Sequence, residues 1–174
     1  MAYTLDAFCA DISRAIKAEG EAGLPKLAEK LSDLLKNPDF VAQAFSDSDP
    51  VGRKELWHDP ETDVYVLAHV QALGHAGRPH SHGKSWAIYG TARGYTDMTE
   101  WRRVNPASED SAELVQTDAY RLGPGQTRAY GPHMIHATAH PEEKTWVVRV
   151  TGTDLDNLPR YRFHPQKDKI LERA

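Results

Sequence analysis

Cysteine is nearly absent from this chain. Cys9 is the only copy among 174 residues, which excludes an intrachain disulfide and any metal site built from several thiolates. A basic excess is missing too. Lysine and arginine number 21 against 25 aspartates and glutamates, a net charge of −4, so no basic face suited to nucleic acid or an anionic membrane is expected. No apolar run reaches the roughly 20 residues of a membrane-spanning helix. The opening residues, MAYTLDAFCADISRAIKAEG, carry acids and lack the basic start and unbroken apolar stretch of a secretory leader. Internal repeats and low-complexity tracts are likewise missing. These absences predict a soluble cytoplasmic protein of one domain, with a small molecule rather than nucleic acid or membrane as its partner.

What the chain does contain divides into two patterns. Leu5, Phe8, Ile12 and Ile16 recur at helical spacing, as do Leu24, Leu27, Leu31, Leu34 and Leu35. Gly20 and Gly23 separate the two stretches, Pro25 suits a first helical turn, and a short third helix is expected after Asn37-Pro38. From about residue 53 the pattern turns to β. Strands are predicted over Arg53–Trp57, Val64–Ala72, Ser85–Thr91, Gly94–Val104, Ala112–Leu122, Thr127–Tyr130, Ile135–Ala139, Thr145–Gly152 and Arg160–Phe163. Turn residues at Asp59-Pro60, Asn105-Pro106, Gly123-Pro124-Gly125 and His140-Pro141 punctuate them. Many short strands without intervening helices predict a sandwich or barrel, here residues 51–174, with residues 1–50 as a helical segment packed on it.

Histidine is plentiful, with nine copies. His75, His80 and His82 form one group, His133, His136 and His140 another, and His58, His69 and His164 stand apart as ordinary surface or hydrogen-bonded residues. Residues i and i+2 of an extended segment point the same way. His80 and His82 therefore project side by side, the geometry for one metal ion. In "RAYGPHMIHATAHP" the histidines alternate with Ile135, Ala137 and Ala139, so His136 and His140 share a face opposite the apolar residues. His136 is the natural third ligand, and His133 and His140 are its local rivals. Three neutral imidazoles with open positions can bind iron, zinc, nickel, copper or manganese and leave room for substrate.

The spacing of these residues resembles the cupin superfamily. Gly74, His80, His82 and Gly94 match its first motif, with Ala87 where the family places a glutamate ligand. Gly125 and His136 match the second motif, Gly131 and His133 fall at its proline and second glycine, and His140 falls at its closing asparagine. Among cupins, a three-histidine set is similar to the thiol dioxygenases, the cysteine and mercaptopropionate dioxygenase group. "PHSHGKSWAIYG", "MIHATAHP" and "WVVRVTG" look like that group's ligand segments. The resemblance implies an all-β double-stranded β-helix with an N-terminal helical segment. It further implies a metal centre of His80, His82 and His136, Fe(II) as the metal with zinc, nickel or manganese as alternatives, and O2 as co-substrate. The reaction it implies is dioxygenation of a small thiol to a sulfinate.

This chain departs from those enzymes on the strand after the third ligand. Arg149 and Thr151 stand where cysteine dioxygenases place a histidine and a tyrosine. If Val148 and Val150 pack outward, Arg149 points into the barrel, where a buried guanidinium requires an anionic partner such as a substrate carboxylate. Arg53 is the other candidate for that carboxylate. Trp86 and Tyr89 are candidate pocket residues, and His140 and Arg149 are candidates for steering substrate or protons. Because cupins host many chemistries, two other functions stay open. One is a non-redox lyase, isomerase or hydrolase, and the other is a non-catalytic binding module in which His133 or His140 closes the metal shell. Gly74, Gly94 and Gly125 have a separate task as turn residues at positive φ.

Overall fold

The computed structural model describes residues 2–159, 161–164 and 167–171. Three helices lead. α1 spans Leu5–Glu19, capped by the Thr4 hydroxyl, which accepts from the Ala7 amide at 3.3 Å. A 3-10 turn at Gly20–Gly23 joins it to α2, Leu24–Leu35, which carries Pro25 in its first turn. α3, Pro38–Ala44, is capped by Asn37, whose side-chain oxygen accepts from the Asp39 amide at 3.0 Å.

Ten strands follow. They are β1 (Gly52–Asp59), β2 (Val64–Gln71), β3 (His75–Ala76), β4 (Ala87–Arg93) and β5 (Thr96–Arg103), then β6 (Glu113–Leu122), β7 (Thr127–Tyr130), β8 (Ile135–His140), β9 (Thr145–Thr151) and β10 (Lys169–Leu171). They build two five-stranded sheets, in the orders β1-β2-β9-β4-β7 and β10-β6-β5-β8-β3. Every pairing is antiparallel except β10 on β6. The two sheets close on one another around Ala87, Tyr89, Tyr130 and Val147 from the first and Met98 and Leu122 from the second. The fold is a double-stranded β-helix.

Period-two alternation decides what each face of the first sheet does. Val64, Val66, Ala68 and Val70 of β2, Ile88 of β4 and Trp146, Val148 and Val150 of β9 face outward and pack against the helices. Val147, Arg149 and Thr151 therefore face the interior. Helix α2 lies close over β4 and β7. A Cβ added at Gly90 would fall 2.5 Å from Leu35 Cδ1 and 3.0 Å from Leu31 Cδ2, so only glycine admits the helix there. Ser32 donates to the Gly125 carbonyl at 2.6 Å and Thr127 to the Ala28 carbonyl at 2.8 Å. These bonds fasten the helix across β7, the edge of its sheet, and an edge so covered cannot pair with another chain. Gly74, Gly94 and Gly125 take φ of 77°, 75° and 77°, the left-handed region their turns require.

Three expectations change. His80 and His82 precede β4 in a loop instead of opening a strand, and two short strands, β3 and β10, are additional. The predicted strand Arg160–Phe163 is reduced to an isolated bridge at Arg162, with Arg160 outside the described residues. Among the described residues no helix is long and apolar enough to cross a membrane.

Leu31 is fully buried between helix and sheet. Leu31→Ala should destabilise the protein by about 2–5 kcal/mol, the range for a buried leucine that leaves a cavity. Because Leu31 lies outside the barrel, the variant should retain metal. Denaturant unfolding together with metal analysis checks both halves.

Candidate metal centre

The histidines that alternation singles out do converge. His80, His82 and His136 each offer a ring nitrogen, and these three atoms lie within 4.8 Å of one another. The scaffold explains why. His80 exchanges backbone hydrogen bonds with His136 in both directions, at 2.9 and 3.0 Å, which holds the loop against β8. The His80 Nδ1 lies 2.9 Å from the Arg78 carbonyl. That bond fixes the proton on Nδ1 and leaves Nε2 with its lone pair aimed at the centre. Its Nε2 is 3.3 Å from that of His82. His82 is buried and His136 is fully so. Burial first, and then the charges of His80 and Arg149, pull the His136 pKa down to about 3, so this imidazole stays neutral, the form that binds metals. Three imidazole nitrogens converging at metal-ligand spacing can hold one divalent ion. The donor set carries no carboxylate, so the ion would keep its full positive charge.

The centre opens onto a cavity of about 410 Å³. Arg78, Arg149 and Arg162 line it, with His80, Tyr89, Thr138 and Gln71, and among the described residues no carboxylate does. Arg149 Nε is buried without a hydrogen-bond partner. A cavity lined by three guanidinium groups is suited to anions.

Behind the centre the barrel is closed. The Tyr130 ring stacks on that of His136, with centroids 4.3 Å apart and planes inclined at 19°. Its hydroxyl lies 2.5 Å from that of Tyr120, which donates to Glu100 at 2.8 Å. Arg128 holds the same Glu100 oxygen through two donors at 2.8 and 3.0 Å. Burial, above all, raises both tyrosine pKa values well beyond the ordinary range, so both are neutral phenols.

The remaining candidates separate. Tyr89 lines the cavity, with its hydroxyl 3.3 Å from His82 Nε2 and 3.4 Å from His136 Nε2. His133 is an exposed turn residue at φ 62°. His140 is buried further along β8, its Nδ1 3.4 Å from the Tyr95 carbonyl, and belongs neither to the ligand cluster nor to the cavity lining. Arg53 lies elsewhere: it forms ion pairs with Asp154 and Asp156 at 3.3 and 2.8 Å, outside the cavity. Trp86 packs in the core beneath the helices, its indole against Gly152.

Several lining residues escaped the sequence reading. Arg78 and Thr138 each stand two residues from a ligand, His80 and His136, so the same alternation could have found them. Arg162 had no such signal, because it reaches the site through a tertiary bridge to His80. His69, set aside as solitary, is half-buried on β2 with its Nε2 enclosed, and its pKa is pulled to about 3 by burial and then by Arg149.

No protein-family profile matches the chain, and no curated protein matches it. Similar solved structures include KdgF from Halomonas sp., at 20% identity and TM-score 0.46, over 61% of this chain and 82% of that one. Another is oxalate oxidase in complex with glycolate, at 16% and 0.47, over 70% of this chain and 60% of that one. A third is a cupin superfamily protein from Desulfitobacterium hafniense DCB-2, at 14% and 0.45, over 65% and 86%.

Replacing His80, His82 or His136 by alanine should in each case abolish stoichiometric metal binding while circular dichroism keeps its β signature. Metal analysis after dialysis measures this. If two of the three variants bound metal as tightly as the parent, the ligand assignment would fail.

Proposed function

We propose that this protein is a mononuclear metal enzyme acting on a small carboxylate-bearing substrate, and specifically a ferrous dioxygenase that converts such a thiol to its sulfinate. The observation that carries the reading is the shared site: three converging imidazole nitrogens meet, at His80, a cavity lined by three arginines and, among the described residues, no acid. The thiol part rests on the resemblance of the ligand segments. When bound, Fe(II) would supply positions at which a thiolate and O2 meet, and both oxygen atoms would end on sulfur.

The residues of the chain do the rest. Arg149 holds the substrate carboxylate in a charge-assisted fork, since its guanidinium stays protonated at every working pH. It cannot readily serve as acid or base, so its task is to fix where the substrate lies, and reacting groups held in place react as if at high local concentration. Arg78 and Arg162 at the cavity wall draw the anion in. Tyr130 and the barrel floor exclude water from the rear of His136. The reading assigns this work to the cytoplasm, whose reducing pool keeps thiols available.

One observation favours a second reading, a non-redox lyase, isomerase or hydrolase step on zinc, nickel or manganese. The Tyr89 hydroxyl stands beside the ligand nitrogens, where it could pass a proton. Oxygen-electrode traces on iron-loaded protein separate the two. Uptake is expected with cysteine or 3-mercaptopropionate and should be weaker with cysteamine, which has no carboxylate. No uptake with any of the three would sink the dioxygenase reading.

Arg149→Lys replaces a planar fork by a point charge. It should weaken 3-mercaptopropionate binding to the iron-loaded protein by roughly ten- to a hundredfold, the equivalent of about 1.5–3 kcal/mol for a charged hydrogen bond. Arg53→Ala should leave that affinity unchanged. Equal affinities for the parent and Arg149→Lys would put the carboxylate elsewhere.

A further inference from the structure

Tyr89 sits in a position that substrate contact alone does not explain. It lies on β4 two residues beyond Ala87, on the same face of the strand, and its side chain enters the barrel interior. Its ring meets His136 edge-on, with centroids 5.4 Å apart at 75°, and Tyr130 at 5.8 Å and 81°. With Tyr89 only 7% exposed, the phenol has little freedom to swing away. Its oxygen is therefore aimed at the histidine cluster by packing on both sides.

The distances discriminate between two roles. A phenol carries one proton and can donate one hydrogen bond, and good hydroxyl donors approach to about 2.7–2.8 Å. Tyr89 Oη instead stands almost equally far from two nitrogens, 3.3 Å from His82 Nε2 and 3.4 Å from His136 Nε2. The His80 and His82 Nε2 atoms are 3.3 Å apart as well. Donors about 2.0–2.1 Å from a tetrahedral metal are separated by about 3.3–3.4 Å, whereas neighbouring donors of an octahedron lie only about 2.9 Å apart. Three separations in the site, two of them to the Tyr89 oxygen, thus have the length of a tetrahedral edge, and the three histidine nitrogens stay within 4.8 Å of one another.

We infer that Tyr89 is a fourth protein ligand, binding the metal as phenolate beside His80, His82 and His136. On binding, its O–H bond breaks, the proton leaves to solvent through the cavity, and an oxygen lone pair forms the bond to the metal. The phenolate supplies the one negative charge that the imidazoles lack, and it does so from the strand on which the cupin pattern would have placed a glutamate at Ala87. The three arginines then face a centre of net charge +1 rather than +2, and they carry more of the work of attracting an anionic substrate. The inference rests on the metal centre of the proposed function and is independent of which substrate turns over.

The test is spectroscopic. Parent protein is loaded with Fe(II) without oxygen, oxidised to Fe(III), and examined by visible absorption and resonance Raman. A ferric phenolate gives a visible charge-transfer band and enhances tyrosine ring modes, which shift when the protein carries ring-deuterated tyrosine. The parent should show both features. Tyr130→Phe should keep them, and Tyr89→Phe should lose them while binding iron roughly tenfold or more weakly, as even loss of a ligand's supporting partner does. The label shift in the parent reads tyrosine ligation even if Tyr89→Phe fails to fold, and loss of the band in Tyr130→Phe would then transfer the role to Tyr130. A colourless parent holding one Fe(III) per chain would overturn Tyr89 as a ligand and leave the histidine centre standing. A parent that takes up no iron would overturn the centre itself.

Discussion

His80 lies outside any strand, yet its backbone N–H and carbonyl exchange hydrogen bonds with those of His136 at 2.9 and 3.0 Å. That closure does for a loop what a sheet does for a strand: it sets register, and with it the direction of each side chain. A slip of one residue would turn Ser81 toward the centre and both loop histidines away from it. The bridge in turn depends on β8 being held from its other side, where His136 pairs with Glu100 of β5. Arg162 closes the loop from outside through its own bridge to His80. The ligands therefore inherit their precision from main-chain bonding, although two of the three belong to no strand.

Much of this was legible from alternation alone. Val148 and Val150 of β9 are outward because helices cover that sheet, and once the helices are granted, Arg149 has nowhere to point but inward. The β strands from Val64 to Thr151 follow the same logic, with turns where Gly-Pro-Gly and Asn-Pro demand them. What stayed hidden has a common physical cause. β3 and β10 span two and three residues, too few for any period to register, and they exist only because β8 and β6 offer partners. Arg53 has the composition of a carboxylate binder, but its partners, Asp154 and Asp156, lie far along the chain, and no local pattern predicts an ion pair at that separation. Trp86 follows the ligand loop directly, yet strand alternation sends it to the helix side, next to Gly152, while Ala87 and Tyr89 go inward. Reading that alternation strictly from Ile88 would have kept Trp86 out of the cavity.

The charge arrangement on the two sides of His136 is complementary. On the cavity side there are three guanidinium groups and, among the described residues, no acid. On the closed side a single carboxylate, Glu100, is already committed to Arg128 and to Tyr120. Were Glu100 free to turn toward His136, it would stabilise the imidazolium and compete with a metal for the ring. The tyrosine pair prevents this by placing two neutral phenols between the carboxylate and the imidazole. The stacked Tyr130 ring also fills the space through which water could reach the rear of the ligand. On the proposed reading, metal affinity and substrate access are thus governed from opposite ends of one barrel. The floor keeps His136 neutral and oriented, and the arginine-lined mouth admits anions. On the proposed reading, an anion entering the cavity passes Arg78, Arg149 and Arg162 before it reaches His80, which makes charge the first selection and fit the second.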